Sequence, residues 1–185
     1  MSAEQARHGV ATSLGTDQTN VDRVTAAMLR DLFTDGDFSA SLDGTSPILD
    51  PAERSHMSDV GGLVRVLAAL ELAAIVTLLV AAWLLRGERE RGARLVFRAA
   101  FGVGAVALML GIFFAVAFDT AFASFHALFF QEGTWQFGPE SNLIRLFPEP
   151  FWFETSLLAG LSIVLSAVLA AWLAGRRMRS GPADA

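Results

Sequence analysis

The chain has 185 residues, 53% of them hydrophobic and 18% charged, with a formal net charge of −5. That apolar share fits a small multi-pass membrane protein, and the acidic balance lacks the basic footprint of a nucleic-acid binder. Cysteine is absent, which excludes disulfides, thiolate metal sites and cysteine nucleophiles; lysine is absent too, so every basic side chain is an arginine.

In chain order, residues 1–20 are polar and read as a disordered tail. Residues 21–62 make an outer-face segment. Within it NVDRVTAAMLRDLF predicts a short amphipathic helix capped by Asn20, with Val21, Val24, Met28 and Leu32 on one face. DGDFSASLDGTSP follows as a turn-rich connection. Asp50-Pro51-Ala52-Glu53 then reads as a helix start, with Asp as the cap, Pro at the first position and Glu at the third. This helix carries ERSHMSDV ahead of the first apolar run, and Gly61-Gly62 marks a site for a bend.

Three apolar runs follow, at residues 63–85, 95–118 and 155–174. Each forms a helix of about 30 Å or more, enough for a bilayer core, and each is apolar on all faces, unlike the helices of a soluble bundle. Gly102, Gly104, Ala107 and Gly111 in the second run, and Ala159, Gly160, Ala167, Ala170 and Ala174 in the third, offer small surfaces for close contacts within the chain. The predicted fold is all-α: a multi-pass transmembrane bundle of three spans with short interfacial outer helices.

Arginines orient it. Arg86, Arg89, Arg91, Arg94 and Arg98 crowd the 86–94 link and its edge, and Arg176, Arg177 and Arg179 lie in the 175–185 tail. Excess positive charge marks the cytoplasmic side, which leaves residues 1–62 and the 119–154 loop outside. That outer loop opens with FDTAFASFHALFF, either a continuation of the second helix or an interfacial helix, too short to span. Trp135, Phe137, Pro139, Pro148, Pro150, Phe151, Trp152 and Phe153 then form a stiff aromatic cover.

Chemistry has few places to reside. His8 belongs to the polar tail. His56 stands between Glu53 and Asp59 at helical spacing, and a carboxylate beside an imidazole fixes its tautomer and raises its basicity. The alternative is a solvated rim at a helix end. His126 shares a helical face with Asp119 among phenylalanines, and desolvation holds such an imidazole neutral, the form a general base requires. The alternative is a packed, hydrogen-bonded side chain. Glu71, inside the first span, either pairs with Arg65 or lines a polar cleft. No G-x-S-x-G, H-E-x-x-H or phosphate-cradling loop is present; a zinc site from His56, His126 and a carboxylate is the remaining metal option. No cofactor is expected.

The segments ERSHMSDV and FDTAFASFHALFFQEGTWQFGPESNLIRLFPEPFWF, with their flanking spans, resemble a bacterial integral-membrane family, the lipoprotein intramolecular transacylases, from about residue 21 to residue 174. The resemblance implies an enzyme that moves the sn-2 acyl chain of a diacylglyceryl-modified lipoprotein onto the α-amine of its N-terminal cysteine, giving a lyso-form lipoprotein. It implies that the family's two essential histidines fall on His56 and His126; the supporting carboxylates Glu53, Asp59 and Asp119 are named from helical spacing alone. In that chemistry one imidazole takes a proton from the amine. The oxyanion is met by the second histidine as imidazolium, or by Arg65 or Arg145. The expected partners are diacylglyceryl lipoproteins and membrane lipid. Family members usually carry a fourth span ahead of the outer segment; a start upstream of Met1, a fragment and a three-span relative each account for the three seen here. Two other functions compete: a non-catalytic membrane protein that binds a partner through the outer aromatic loop, and a metal-assisted lipid hydrolase.

Overall fold

The structure, a computed structural model, describes residues 1–179, and every regular element among them is helical. The helices are α1 (Ser2–Arg7), α2 (Val10–Ser13), α3 (Gln18–Thr34), α4 (Pro51–Leu84, followed by a 3₁₀ turn over Leu85–Gly87), α5 (Arg89–Val116), α6 (Phe118–Phe129), α7 (Asn142–Leu146) and α8 (Glu149–Arg179). The last six residues of the expected 175–185 tail lie outside the described residues. The chain divides into two units, one of Met1–Leu70 with Asp119–Phe153, the other of Glu71–Phe118 with the chain from Glu154 onward.

The first unit has a conventional core. Val21, Val24 and Met28, on one face of α3, are buried against Val10, Phe38, Leu49, Met57, Leu143 and Leu146. The 3.6-residue period foresees this face, but the cap differs. Asp17, not Asn20, caps α3, its carboxylate accepting from the Asn20 backbone N–H at 2.8 Å, so the helix starts earlier than Asn20 implies. At the other end Asp35 adopts a left-handed conformation (φ 58°), which an aspartate tolerates, and α3 stops there.

The expected disordered tail is instead two short helices packed on α3. Gln5 is fully buried and its amide donates to Thr25 Oγ1 at 3.1 Å and to the Leu146 carbonyl at 3.0 Å. Gly9 (φ 67°) separates α1 from α2, and Val10 enters the core. A polar segment with one amide and one valine fully buried has no periodic apolar signal, yet these, with Ala11 and Leu14 against the core, hold it.

α4 begins where the capping pattern requires. Asp50 accepts from the Glu53 N–H at 2.8 Å and Glu53 reaches back to the Asp50 N–H at 2.8 Å, the reciprocal capping box. The helix continues without interruption through Gly61-Gly62. Gly61 is buried, and a methyl group there would sit 3.1 Å from the Arg65 guanidinium and 3.6 Å from both the Leu32 carbonyl and the Phe38 ring. The glycine thus serves close approach of α3 rather than a bend.

Glu53 does more than cap. Its other oxygen accepts from the Leu143 N–H at 3.0 Å and from the Ser141 hydroxyl, while Asn142 donates to the Ile48 carbonyl at 2.7 Å. These bonds fasten the segment after α6, through α7, to the start of α4. Ala117 leaves the helical region (φ −137°, ψ 53°), so α6 is a separate helix and not an extension of α5.

The second unit contains the apolar lengths. Three helices are long and apolar enough to cross a membrane: Pro51–Gly87, Arg89–Val116 and Glu149–Arg179. Within this unit α5 and α8 approach through small residues. A methyl on Gly104 would stand 3.1 Å from the Ala167 Cβ, and one on Gly160 would stand 3.9 Å from the Gly111 Cα. At the foot of the spans Arg86 lies over the Trp83 ring at 4.5 Å and Arg176 over Trp172 at 4.7 Å, arginines seated on aromatic anchors.

The Glu53 junction yields the first prediction. Glu53→Leu fills the space but strands the Asp50 and Leu143 N–H groups and the Ser141 hydroxyl. Each orphaned group costs about 1–3 kcal/mol, so the first unit should lose roughly 3 kcal/mol of stability or more. Thermal unfolding in detergent, together with faster proteolysis between Gln131 and Glu140, reads it; an unchanged midpoint contradicts the anchoring role.

Candidate active site

α4 and α6 each contribute one imidazole. His56 lies one turn beyond the capping box, ahead of the apolar run that begins at Leu63. His126 lies near the end of α6, outside the apolar runs. Both are buried, with relative exposures of 6% and 9%. Their rings are stacked, 5.9 Å between centroids and 29° between planes. Seventy residues of sequence separate them, and the fold stacks the two rings directly.

Aromatic rings enclose the pair. Phe130 meets His56 edge-on at 4.9 Å and Phe137 lies 5.6 Å from it. Phe122, Trp135 and Phe125 stand 4.1, 4.8 and 5.5 Å from the His126 ring. Trp135 and Phe137, two of the rings named for the cover, lie against the pair, and Phe130 joins them. Phe147, Phe151 and Trp152 instead stack on one another, and Phe147 and Phe151 belong to the core.

The walls determine the charge state. Burial is the largest influence on both rings, and it pushes His126 below the usual imidazole range despite a hydrogen bond that works the other way. His56 is pushed down to about 4 by burial first and by the neighbouring His126 second, with Asp59 opposing. Both imidazoles are therefore neutral near pH 7.

The His126 tautomer follows from one contact. Nδ1 lies 2.8 Å from the Phe122 carbonyl, one turn back along α6. A carbonyl oxygen only accepts, so Nδ1 carries the proton and Nε2 carries the lone pair. On His56, Nδ1 is buried and has no hydrogen-bond partner, and the same holds for the Trp135 indole Nε1.

The carboxylates and arginines named from spacing occupy other posts. Glu53 is 1% exposed and committed to Asp50, Ser141 and Leu143, so it does not orient His56. Three-residue spacing puts the two on one face, but the cap and the segment after α6 take the carboxylate. Asp59 is exposed and acts on His56 only as a charge at a distance. Asp119, which shares a face with His126 by spacing, is exposed at the opposite end of α6, and the imidazole bonds instead to the Phe122 carbonyl. Arg65 donates to Asp35 at 2.7 Å and to the Leu32 carbonyl, so its ion pair is not with Glu71. Arg145 is paired with Glu140 at 3.0 Å. Among the described residues no group of three or more His, Asp or Glu is placed to hold a metal ion.

Sequence reasoning passed over the main-chain carbonyl of Phe122 and the indole of Trp135. No residue-type signal marks the first, since any helical histidine has a carbonyl four residues back. The second was visible only as part of an aromatic cover.

Residues 3–152 match the family described as lipoprotein intramolecular transacylase Lit. The in meso structure of the membrane integral lipoprotein intramolecular transacylase Lit from Bacillus cereus superposes with a TM-score of 0.73 over 96% of this chain and 81% of that one, at 19% identity, a likeness of fold. An uncharacterized protein of Aquifex aeolicus is 32% identical over 62 residues, which cover 34% of this chain and 29% of the length of that relative. With the matched family spanning the histidine pair, its aromatic cover and the first two apolar helices, the chain belongs to the lipoprotein intramolecular transacylases.

Proposed function

We propose that this protein transfers the sn-2 acyl chain of a diacylglyceryl-modified lipoprotein onto the free amine of the same molecule's N-terminal cysteine. The observation that carries this reading is the neutral, stacked histidine pair under aromatic walls in a chain of this family. His126 is the base. Its Nε2 lone pair faces away from the Phe122 carbonyl and accepts the amine proton as nitrogen attacks the ester carbonyl. A C–N bond forms and the carbonyl becomes a tetrahedral oxyanion. Collapse breaks the bond to the glycerol sn-2 oxygen, which takes the proton back from the imidazolium. The sum is an amide and a free glycerol hydroxyl, with no net proton change. His56, stacked on His126, offers a second ring to position the amine or the glycerol oxygen.

Amine and ester belong to one molecule, so holding them in register supplies much of the acceleration. The dry aromatic walls serve this twice. They exclude the water that would otherwise hydrolyse the ester, and they keep both imidazoles uncharged. Neutral walls also accept the acyl chains.

The topology belongs to this reading. The arginines after α4 and at the end of α8 are assigned to the cytoplasm, and the histidine pair to the outer face, where mature lipoproteins present their amines. The chain has no cysteine, so single replacements report sidedness cleanly. In intact cells Thr134→Cys should react with a membrane-impermeant maleimide, and Gly87→Cys should react only after lysis. The reverse pattern inverts the assignment.

Activity separates catalysis from packing. His126→Ala should lower N-acylation of a diacylglyceryl lipopeptide, followed by mass spectrometry, by about 10²–10⁴-fold while the protein still folds. His56→Ala should lower it as well. Wild-type rates in both variants would refute the assignment and favour a non-catalytic membrane protein.

The pH profile follows from the direction of the shifts. Both imidazoles have values below the ordinary 6.5, so the basic form predominates at pH 7 and is lost as pH falls further. The substrate amine, near about 8 when free, must also lose its proton. The kcat/KM profile should therefore rise to a plateau with its inflection at the amine's value, and an inflection near 6.5 would show an imidazole exposed to water.

A further inference from the structure

An acyl transfer of this kind needs a donor for the oxyanion, and the two arginines named for it from the sequence are occupied. Arg65 is held by Asp35 and the Leu32 carbonyl, and Arg145 by Glu140. The rings around the histidine pair are otherwise phenylalanines, which donate nothing. Trp135 is the exception. Its ring lies 4.8 Å from that of His126, tilted by 33°. Its indole Nε1 is buried and without a hydrogen-bond partner. An indole nitrogen is a donor only, and a buried donor left unpaired is costly, so a native structure that retains one calls for an account.

We propose that the Trp135 indole N–H donates a hydrogen bond to the ester carbonyl oxygen of the substrate, and holds it as that oxygen becomes the tetrahedral oxyanion. The inference rests on the acyl-transfer reading above and names a further catalytic residue within it. The orphan donor is matched by a ligand oxygen that only accepts. A neutral donor suits this place better than an arginine, because an uncharged N–H enters an aromatic pocket without the desolvation cost of a guanidinium. In a water-excluded site such a bond is strong, and it strengthens as negative charge develops on the oxygen. The proton stays on the indole throughout. The amine proton moves to His126 Nε2 and then to the glycerol oxygen, as before. The indole also lies against the ring that acts as base, so one side chain fixes the carbonyl relative to the proton acceptor.

The test replaces Trp135 in the full-length membrane protein by 3-benzothienylalanine, which keeps the bicyclic shape and puts sulfur where the N–H was. The probe is a synthetic diacylglyceryl lipopeptide with a free cysteine amine. The expected result is a fall in kcat of about 10²-fold or more, with KM little changed. Trp135→Phe should fall at least as far. A benzothienyl variant within threefold of wild type overturns the proposal, also where Trp135→Phe is impaired, since shape alone would then suffice. A second measurement needs no variant to be active. In 15N-tryptophan-labelled wild type, a non-reacting phosphonate analogue of the lipopeptide should move the Trp135 indole N–H resonance downfield, and an unmoved resonance with the analogue bound refutes the contact. Should wild type itself fail to N-acylate the lipopeptide, the acyl-transfer reading falls and the indole's role with it. An active wild type with an indifferent Trp135 removes only the latter.

Discussion

The carboxylate of Glu53 is the contact on which the first unit turns. It closes the cap of α4 through Asp50 and, with its second oxygen, holds Ser141 and Leu143 at the start of α7. The span from α6 to α7 contains His126, Phe130, Trp135 and Phe137, so fastening its end to the turn that precedes His56 sets the aromatic cover over the pair. The carboxylate is 1% exposed and surrounded by donors, the one circumstance in which a buried charge is stabilising rather than costly.

From that anchor the character of the site follows. Closing aromatic rings over two imidazoles removes water, and removal of water discharges them. A pair of histidines in water would share charge near neutrality and repel. Here they stack at 5.9 Å without repulsion, and one of them has its proton held by a main-chain carbonyl. Under the proposed reaction this is the combination that abstracts a proton from an amine while offering no water to the ester.

The membrane-helical architecture was legible because its signal is coarse: three runs of apolar side chains on every face admit one reading. The start of α4 was legible because Asp50, Pro51 and Glu53 each have a distinct local reason to be there. The buried face of α3 came from its period. The N-terminal segment did not, since a single amide at Gln5 and a valine at Val10 anchor it and neither makes a pattern. His56 and His126, named separately from the sequence, stack on one another, yet spacing misassigned their partners. Glu53 at three residues from His56 looks like an orienting carboxylate until the segment after α6 supplies competing donors. Helical periodicity reports which residues share a face. It is silent on which of several nearby donors a carboxylate will take, and on backbone carbonyls altogether.

The bond from His126 to the Phe122 carbonyl has one more consequence. The ring takes its tautomer from the helix that bears it, so no other side chain can reverse it by substitution. Drift in the sequences around the pair, in the aromatic walls or the rim charges, changes access and rate but leaves the direction of the lone pair alone. Only unwinding the last turns of α6 would turn the ring. Relatives with very different surroundings can therefore keep one chemistry, provided that short helix survives.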